Sequence, residues 1–263
     1  SGRIRVPGDK SISHRSIMLG SIAEGKTEIS GFLEGEDSLA TLKAFRSMGV
    51  QIEGPDNGRV AIHGVGLHGL SAPAGPLYLG NSGTSMRLLS GLLAGQAFDV
   101  ELTGDHSLNG RPMRRVTDPL AEMGAQIRTT QQGTAPLHIR GGQSLTGIHY
   151  DMPVASAQVK SCVLLAGLYA SGPTCVYEPA PTRDHTERML SGMGYLIEQK
   201  DSLACLTGGG KLTAGAVDVP ADISSAAFFL VGASIANDSE LLLQHVGVNP
   251  TRTGVLEMLR GNM

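Results

Sequence analysis

The sequence predicts an α/β protein, of the α+β kind, built from tandem copies of one folding unit, and three observations predict it. A short motif recurs along the chain, an apolar spacing of three and four precedes each copy, and a short extended run ending in Pro or Gly opens each unit. The motif is Met48-Gly49-Val50-Gln51-Ile52, then Met123-Gly124-Ala125-Gln126-Ile127, then Met193-Gly194-Tyr195-Leu196-Ile197. The copies lie roughly 70 residues apart, the signature of a repeated supersecondary unit.

Leu39, Leu42, Phe45 and Met48 share one helical face, as do Met113, Val116, Leu120 and Met123, and Met189 with Met193. The Gly after each Met suits a helix C-terminus, and the β-patterned residues that follow suit a strand. Unit one opens with Ile4-Arg5-Val6-Pro7-Gly8, unit two with Leu77-Tyr78-Leu79-Gly80 and unit three with Tyr150-Asp151-Met152-Pro153. Each run leads into a small polar segment that starts a helix. Runs such as Lys26–Ser30 and Thr174–Tyr177 read as strands between the two helices. The unit is therefore β-α-β-α-β-β, and in a pseudo-threefold arrangement of three such repeats the helix starts can converge. A fourth opens at Val217-Asp218-Val219-Pro220, and its Met-Gly is expected near position 263. Val255, Leu256, Met258 and Leu259 begin its helix and no partner strands follow, so the sequence reads as a fragment.

Composition narrows the function. No run approaches the roughly 18 apolar residues of a membrane span, and the N-terminus lacks the apolar run of a secretory signal. Net charge is −3 with no basic run and no Trp, which argues against a nucleic-acid surface. Three widely spaced cysteines, Cys162, Cys175 and Cys205, are expected to be reduced, small core residues. The 36 glycines imply tight turns or close approach of backbone to a ligand.

Three strand-to-helix junctions carry Lys10-Ser11, Ser82 and Ser156 at their helix starts. Helix N-termini offer unpaired N–H groups and partial positive charge, so three that converge make an anion site. Lys10 adds a mobile cation, and Arg15 stands one turn beyond Ser11. The plainer alternative is that each Ser caps its helix. Arg111, just before the Pro of a helix start, suits bidentate binding of a carboxylate or phosphate, whereas Arg114 and Arg115 read as solvated. Asp184, His185 and Glu187 match no metal-ligand spacing, and no metal is expected. His14 and His106 lack an evident base partner, and no G-x-S-x-G or nucleotide-binding glycine motif occurs.

Val6-Pro7-Gly8-Asp9-Lys10-Ser11-Ile12-Ser13-His14-Arg15 resembles the N-terminal signature of 5-enolpyruvylshikimate-3-phosphate synthases. Gly80-Asn81-Ser82-Gly83-Thr84-Ser85-Met86-Arg87 resembles a second family signature, and Pro153–Ser161 and Thr182–Arg188 are also similar to family segments. The resemblance covers essentially the whole chain. It implies an enolpyruvyl transferase-like fold of two domains, each made of three units. Residues 1–7 would be a strand of the second domain, 8–215 the complete three-repeat domain, and 216–263 the truncated start of the second.

By the same resemblance, Lys10, Ser11, Arg15, Ser156, Ala157, Gln158, Thr182 and Arg183 bind shikimate 3-phosphate, and Lys10, Asn81, Gly83, Arg111 and Gln158 bind phosphoenolpyruvate. Ala157 stands where some members have Ser and offers only backbone contact; Thr182 stands where Ser is usual. Lys10 is the catalytic residue within reach, and the acid and base carboxylates are expected beyond residue 263. The implied reaction moves the enolpyruvyl group to the 5-hydroxyl of shikimate 3-phosphate and releases phosphate, on the way to chorismate and the aromatic amino acids. No cofactor, metal, nucleic acid or membrane takes part. The implied enzyme is cytoplasmic, monomeric when complete with its missing second domain, and glyphosate-sensitive, because Gly83 leaves room beside the donor; the fragment alone is inactive. One alternative is the sister enzyme acting on UDP-N-acetylglucosamine, which has Asn after the early Lys and a reactive loop Cys. Here Ser11 follows Lys10 and the 104–113 loop holds no Cys. Others are a cyclase-like protein sharing only the repeat and a non-catalytic phosphate-binding module.

Overall fold

The structure is a computed structural model that describes residues 1–261. The chain opens with β1 (Gly2–Ile4), α1 (Lys10–Ile22), β2 (Glu24–Ser30), α2 (Glu36–Ser47), β3 (Gln51–Asp56) and β4 (Arg59–Val65). The second unit holds β5 (Leu77–Tyr78), α3 (Gly83–Ala94), β6 (Val100–Thr103), a short α4 (His106–Asn109), α5 (Arg114–Glu122), β7 (Gln126–Arg128) and β8 (Leu137–Arg140). The third holds β9 (His149–Asp151), α6 (Ala157–Gly167), β10 (Pro173–Tyr177), α7 (His185–Gly192), β11 (Ile197–Lys200) and β12 (Leu203–Thr207). After these come β13 (Ala216–Asp218), α8 (Ile223–Ile235), β14 (Leu241–Leu243), a 3₁₀ turn (Pro250–Arg252) and α9 (Gly254–Gly261). The expected fourth Met-Gly near 263 lies outside the described residues.

The recurring Met-Gly does the same job three times. Met48, Met123 and Met193 end α2, α5 and α7. Gly49, Gly124 and Gly194 then take φ of 88°, 98° and 81°, a region costly for any residue with a Cβ. The next residue bonds back across the turn each time: Val50 N–H to Phe45 O at 3.1 Å, Ala125 N–H to Leu120 O at 2.9 Å, Tyr195 N–H to Leu190 O at 2.9 Å. This closure reverses the chain into the strand that follows.

Three four-stranded sheets share one order, β13-β2-β4-β3, β5-β6-β8-β7 and β9-β10-β12-β11. In each, the first pair is parallel and the remaining pairs antiparallel. The first sheet is not completed by the strand that precedes α1. Its place is taken by β13, Ala216 to Asp218 beside Glu28 to Ser30, while β1 pairs in parallel with β14. The two connections cross side by side, with Asp9 N–H bonded to Pro220 O at 2.8 Å and Asp222 N–H to Pro7 O at 2.9 Å. Gly8 is required at the crossing, since a Cβ there would stand 2.0 Å from Gly31 O.

α1, α3 and α6 are buried almost all round, whereas α2, α5 and α7 bury one face. A single apolar core runs from Ile17 to Val219 through all three units, and a separate small cluster joins Val6, Ala221 and Ala226. α8 is apolar yet exposed, with Phe228 at 82% and Ile235 at 79%. Among the described residues no helix is long and apolar enough to cross a membrane.

The cysteine expectation is corrected for two of the three. Cys162 is a buried free thiol in α6. Cys175 and Cys205 are instead a disulfide, facing one another on β10 and β12 with Cα atoms 4.1 Å apart. The antiparallel register of β10 against β12 brings together residues 30 apart in sequence, which linear spacing does not display.

Candidate active site

The three inner helices differ at their starts. Asp9 caps α1, its Oδ1 accepting the Ile12 N–H at 2.8 Å. Ser11 therefore has no capping duty, and its Oγ accepts a hydrogen bond from Arg183 Nη1 at 3.3 Å. Ser82 caps α3 through the Ser85 N–H at 3.1 Å, and Ser156 caps α6 through the Val159 N–H at 3.4 Å. The capping alternative thus holds for Ser82 and Ser156 and fails for Ser11.

Side chains tie these starts together. Gln158, in the first turn of α6, accepts from Arg87 Nη1 at 2.6 Å and donates Nε2 to Thr84 Oγ1 at 3.0 Å, joining α6 to α3. Arg15 of α1 donates Nε to Thr186 Oγ1 at 2.6 Å and Nη2 to Ser161 Oγ at 2.7 Å, joining α1 to α7 and α6. A third donor goes to Ser11 O at 3.0 Å, leaving two of the five guanidinium N–H groups. Burial lowers the Arg15 pKa to about 10, opposed by Glu187, so it stays charged at neutral pH. Below these starts, the His14 ring and the hydroxyls of Thr41, Ser85 and Ser82 form a chain with separations of 2.8, 2.6 and 2.6 Å. Burial pushes the His14 pKa down to about 3, so this histidine is neutral.

Two groups of predicted residues assemble around this frame. In the first, Arg111 Nη2 donates to Asn81 Oδ1 at 2.5 Å and Asn81 Nδ2 to Asp105 Oδ2 at 2.7 Å. Gly83 lies beneath two guanidiniums, since a Cβ on it would stand 3.0 Å from Arg111 Nη1 and 3.1 Å from Arg87 Nη1. Burial, then the charges of Arg111 and Arg115, lowers the Arg87 pKa. Two cations at a helix start form a place for a carboxylate or phosphate. Arg114 and Arg115 are exposed on α5, as expected.

In the second group, Ser156, Ala157, Gln158, Thr182 and Arg183 line one wall of a cleft of about 740 Å³, with Ser224, Thr251 and Arg252 on the other. Thr182 donates its hydroxyl to Glu178 Oε2 at 2.5 Å. Glu178 is held by Lys160 Nζ at 3.0 Å, which also meets Glu187 Oε1 at 2.6 Å. Lys10 projects from the first residue of α1 and pairs with Asp37 Oδ2 at 3.0 Å. Gln158 and Arg87 bridge the two groups.

Asp37, Thr84, Arg87, Lys160 and Glu178 were not singled out from the sequence, and Glu187 was weighed only as a metal ligand. Arg87 had a signal: it sits one turn after Gly83 and Thr84, so all three share a helical face. Lys160 had none, and nothing showed that Glu187 is paired and buried, because nothing local marks a charged residue as buried.

A sequence profile described as EPSP synthase (3-phosphoshikimate 1-carboxyvinyltransferase) matches residues 1–263. The 3-phosphoshikimate 1-carboxyvinyltransferase of Methylococcus capsulatus is 71% identical over 259 residues, 98% of this chain and 59% of that protein. That of Alkalilimnicola ehrlichii is also 71% identical, with 58% of its length covered. The solved EPSP synthase of Acinetobacter baumannii superposes with a TM-score of 0.95 at 63% identity, covering 99% of this chain and 59% of that one. The chain thus spans about three-fifths of the length of the curated relatives it matches.

Proposed function

We infer the activity from the premise that the chain belongs to the EPSP synthase family: it supplies the cationic half of a site that transfers the enolpyruvyl group of phosphoenolpyruvate to the 5-hydroxyl of shikimate 3-phosphate. The observation that carries this reading is the Arg87–Gln158–Thr84 link, which sets a two-guanidinium group and a Ser/Thr/Arg group side by side, as two anionic substrates require. Shikimate 3-phosphate lies along Ser11, Arg15, Ser156, the Ala157 backbone, Gln158, Thr182 and Arg183. Phosphoenolpyruvate lies at Asn81, Gly83 and Arg111, and Lys10 and Gln158 serve both. Arg15 acts from beneath with its two remaining donors, and Thr182 turns its hydroxyl from Glu178 to the phosphate on binding.

The reaction is an addition followed by an elimination. The methylene carbon of phosphoenolpyruvate takes a proton, the 5-hydroxyl oxygen bonds to the adjacent carbon and loses its proton, and the tetrahedral intermediate expels phosphate as the double bond re-forms. Lys10, Arg87 and Arg111 stabilise charge on the donor throughout, and Gln158 orients the two substrates. The general acid and base come from the length of the relatives that this chain does not span. Residues 8–215, with β13 completing their first sheet, act as the three-repeat domain, and residues 1–7 with the segment after β13 belong to the second. The separate Val6–Ala221–Ala226 cluster and the β1–β14 pairing support that division. The complete enzyme is a cytoplasmic, cofactor-free monomer of aromatic amino-acid biosynthesis.

Titration calorimetry on this chain tests the reading. Shikimate 3-phosphate binds, Arg183→Gln weakens it, and no product accumulates with both substrates present. Absence of any heat of binding refutes the site; turnover refutes the claim that the chemistry needs further residues.

A further inference from the structure

The wall of the cleft that faces Arg183 comes from the segment after β13, and one of its side chains is a second guanidinium, Arg252. Its position is fixed. Asn249 caps the 3₁₀ turn, Oδ1 accepting from Thr251 N–H at 3.0 Å and Thr251 Oγ1 at 2.9 Å. The same Asn249 donates Nδ2 to Asp184 Oδ1 at 2.7 Å. Asp184 is the residue next to Arg183, so one asparagine pins the turn that carries Arg252 beside the loop that carries Arg183.

Neither guanidinium is neutralised by a close carboxylate among the described residues. Arg183 has a single long bond to Ser11 Oγ at 3.3 Å. Arg252 bonds Ser224 Oγ, and its nearest carboxylate, Asp222, stands at the 4.0 Å limit of an ion pair. The Arg183 pKa is lowered by burial and then by the charge of Arg252, partly offset by Asp9 and Asp222. Two like charges across one cleft repel, and a dianion between them turns that repulsion into attraction from both sides. Planar guanidiniums suit this geometry, each offering paired N–H groups to phosphate oxygens.

We propose that Arg252 is a substrate-binding residue that completes the phosphate subsite, gripping the phosphate of a phosphate monoester against Arg183 from the opposite wall. This deepens the reading above and rests on it. Because Arg252 belongs to the segment that follows the three units, the bound phosphate also holds that segment against them.

The test is calorimetry on the 263-residue chain with shikimate 3-phosphate, and ligand-observed NMR with unphosphorylated shikimate, for wild type, Arg252→Gln, Arg252→Lys and Arg183→Gln. Loss of one charge-assisted contact raises Kd for shikimate 3-phosphate about tenfold in Arg252→Gln. Arg252→Lys recovers part of the loss, and shikimate binding is unchanged. Wild-type affinity in Arg252→Gln alongside a loss in Arg183→Gln overturns the role of Arg252 and leaves the proposed function standing. Equal losses for both ligands in Arg252→Gln also overturn it, marking a structural role. If wild type binds no shikimate 3-phosphate, both fall. Thermal melts confirm that each variant is folded, and Arg252→Lys keeps the charge should Arg252→Gln unfold.

Discussion

Replacing Lys160 with Met removes the cation from a cluster that has no water to fall back on. Lys160 is 3% exposed, Glu187 2% and Glu178 11% at the side chain, and the contacts are 2.6 and 3.0 Å. Met fills most of the volume, so the loss is mainly electrostatic: two carboxylates remain, one of them fully enclosed. Among the described residues Glu187 Oε2 already lacks a hydrogen-bond partner, so the compensation lies on the other oxygen. Removing one partner of a buried ion pair costs about 3–5 kcal/mol, a large part of the roughly 5–15 kcal/mol that holds a domain together. Burial already raises the Glu187 pKa against the pull of Lys160, and without Lys160 it rises further. A carboxyl raised in the fold contributes its stability below the unfolded pKa and loses it as pH rises through the folded value. The deficit of Lys160→Met is therefore smallest in acid and deepens toward neutral pH. Urea denaturation of wild type, Lys160→Met and Lys160→Met/Glu187→Gln across pH 5 to 8 reads this directly, with the double variant regaining more than half the loss. A deficit under about 1 kcal/mol, or one that does not change with pH, refutes the claim that these charges are buried and mutually dependent.

His14, neutral in the fold with a pKa of about 3, destabilises the chain in acid, because the unfolded state takes a proton below about 6.5 and the fold does not. The cost reaches about 2 kcal/mol by pH 5, His185, lowered to about 4, adds to it, and urea midpoints at pH 7 and 5 show a smaller drop for His14→Gln. Gly83→Ala places a methyl 3.0 Å from Arg111 Nη1, the mobile end of a side chain, so it leaves thermal stability nearly unchanged. In an enzyme of full family length glyphosate inhibits the parent, and Gly83→Ala weakens that inhibition at least about tenfold; equal inhibition of both refutes the placement of the donor at Gly83. Thiol titration of the denatured, unreduced chain finds one free thiol, and reducing Cys175–Cys205 lowers stability by about 2–4 kcal/mol; three thiols before reduction refute the pairing.

The repeat was legible because each unit is closed by local chemistry. Met48, Met123 and Met193 end helices whose apolar spacing is visible in a dozen residues, and the positive φ of the Gly that follows is a constraint glycine meets best. The strand exchange at the start was not legible from periodicity. Ile4-Arg5-Val6 and Val217-Asp218-Val219 are equally good short strands, and which one lies beside Glu28–Ser30 depends on how two connections cross near Gly8. Pattern fixes that a residue is extended; it says nothing about which of two equivalent neighbours it joins. The same limit hid the disulfide.

The site divides along the same line. Helix starts bearing Lys10, Ser82, Ser156 and Gln158 are local features, and an anion site made from helix starts is readable as far as its parts are. What holds the parts in place is not local. Arg15 meets Thr186 across 171 residues and Arg183 meets Ser11 across 172. Lys160 of α6 meets Glu178, just past β10, and Glu187 of α7 only because tertiary structure brings these segments together. A charged residue in a sequence reads as solvated by default, since burial is costly unless a partner is present. The partner here is supplied by tertiary structure, so the default fails at the residues that support the cleft. The same reasoning applies to α8. Its exposed Phe228, Phe229, Val231 and Ile235 form an apolar face with only Ile223 and Ala226 of the helix buried. An apolar helix stable in water needs a partner for such a face, and relatives of greater length have residues to provide it. The three-unit body meets that requirement within itself, through one core that holds the starts of α1, α3 and α6 in place.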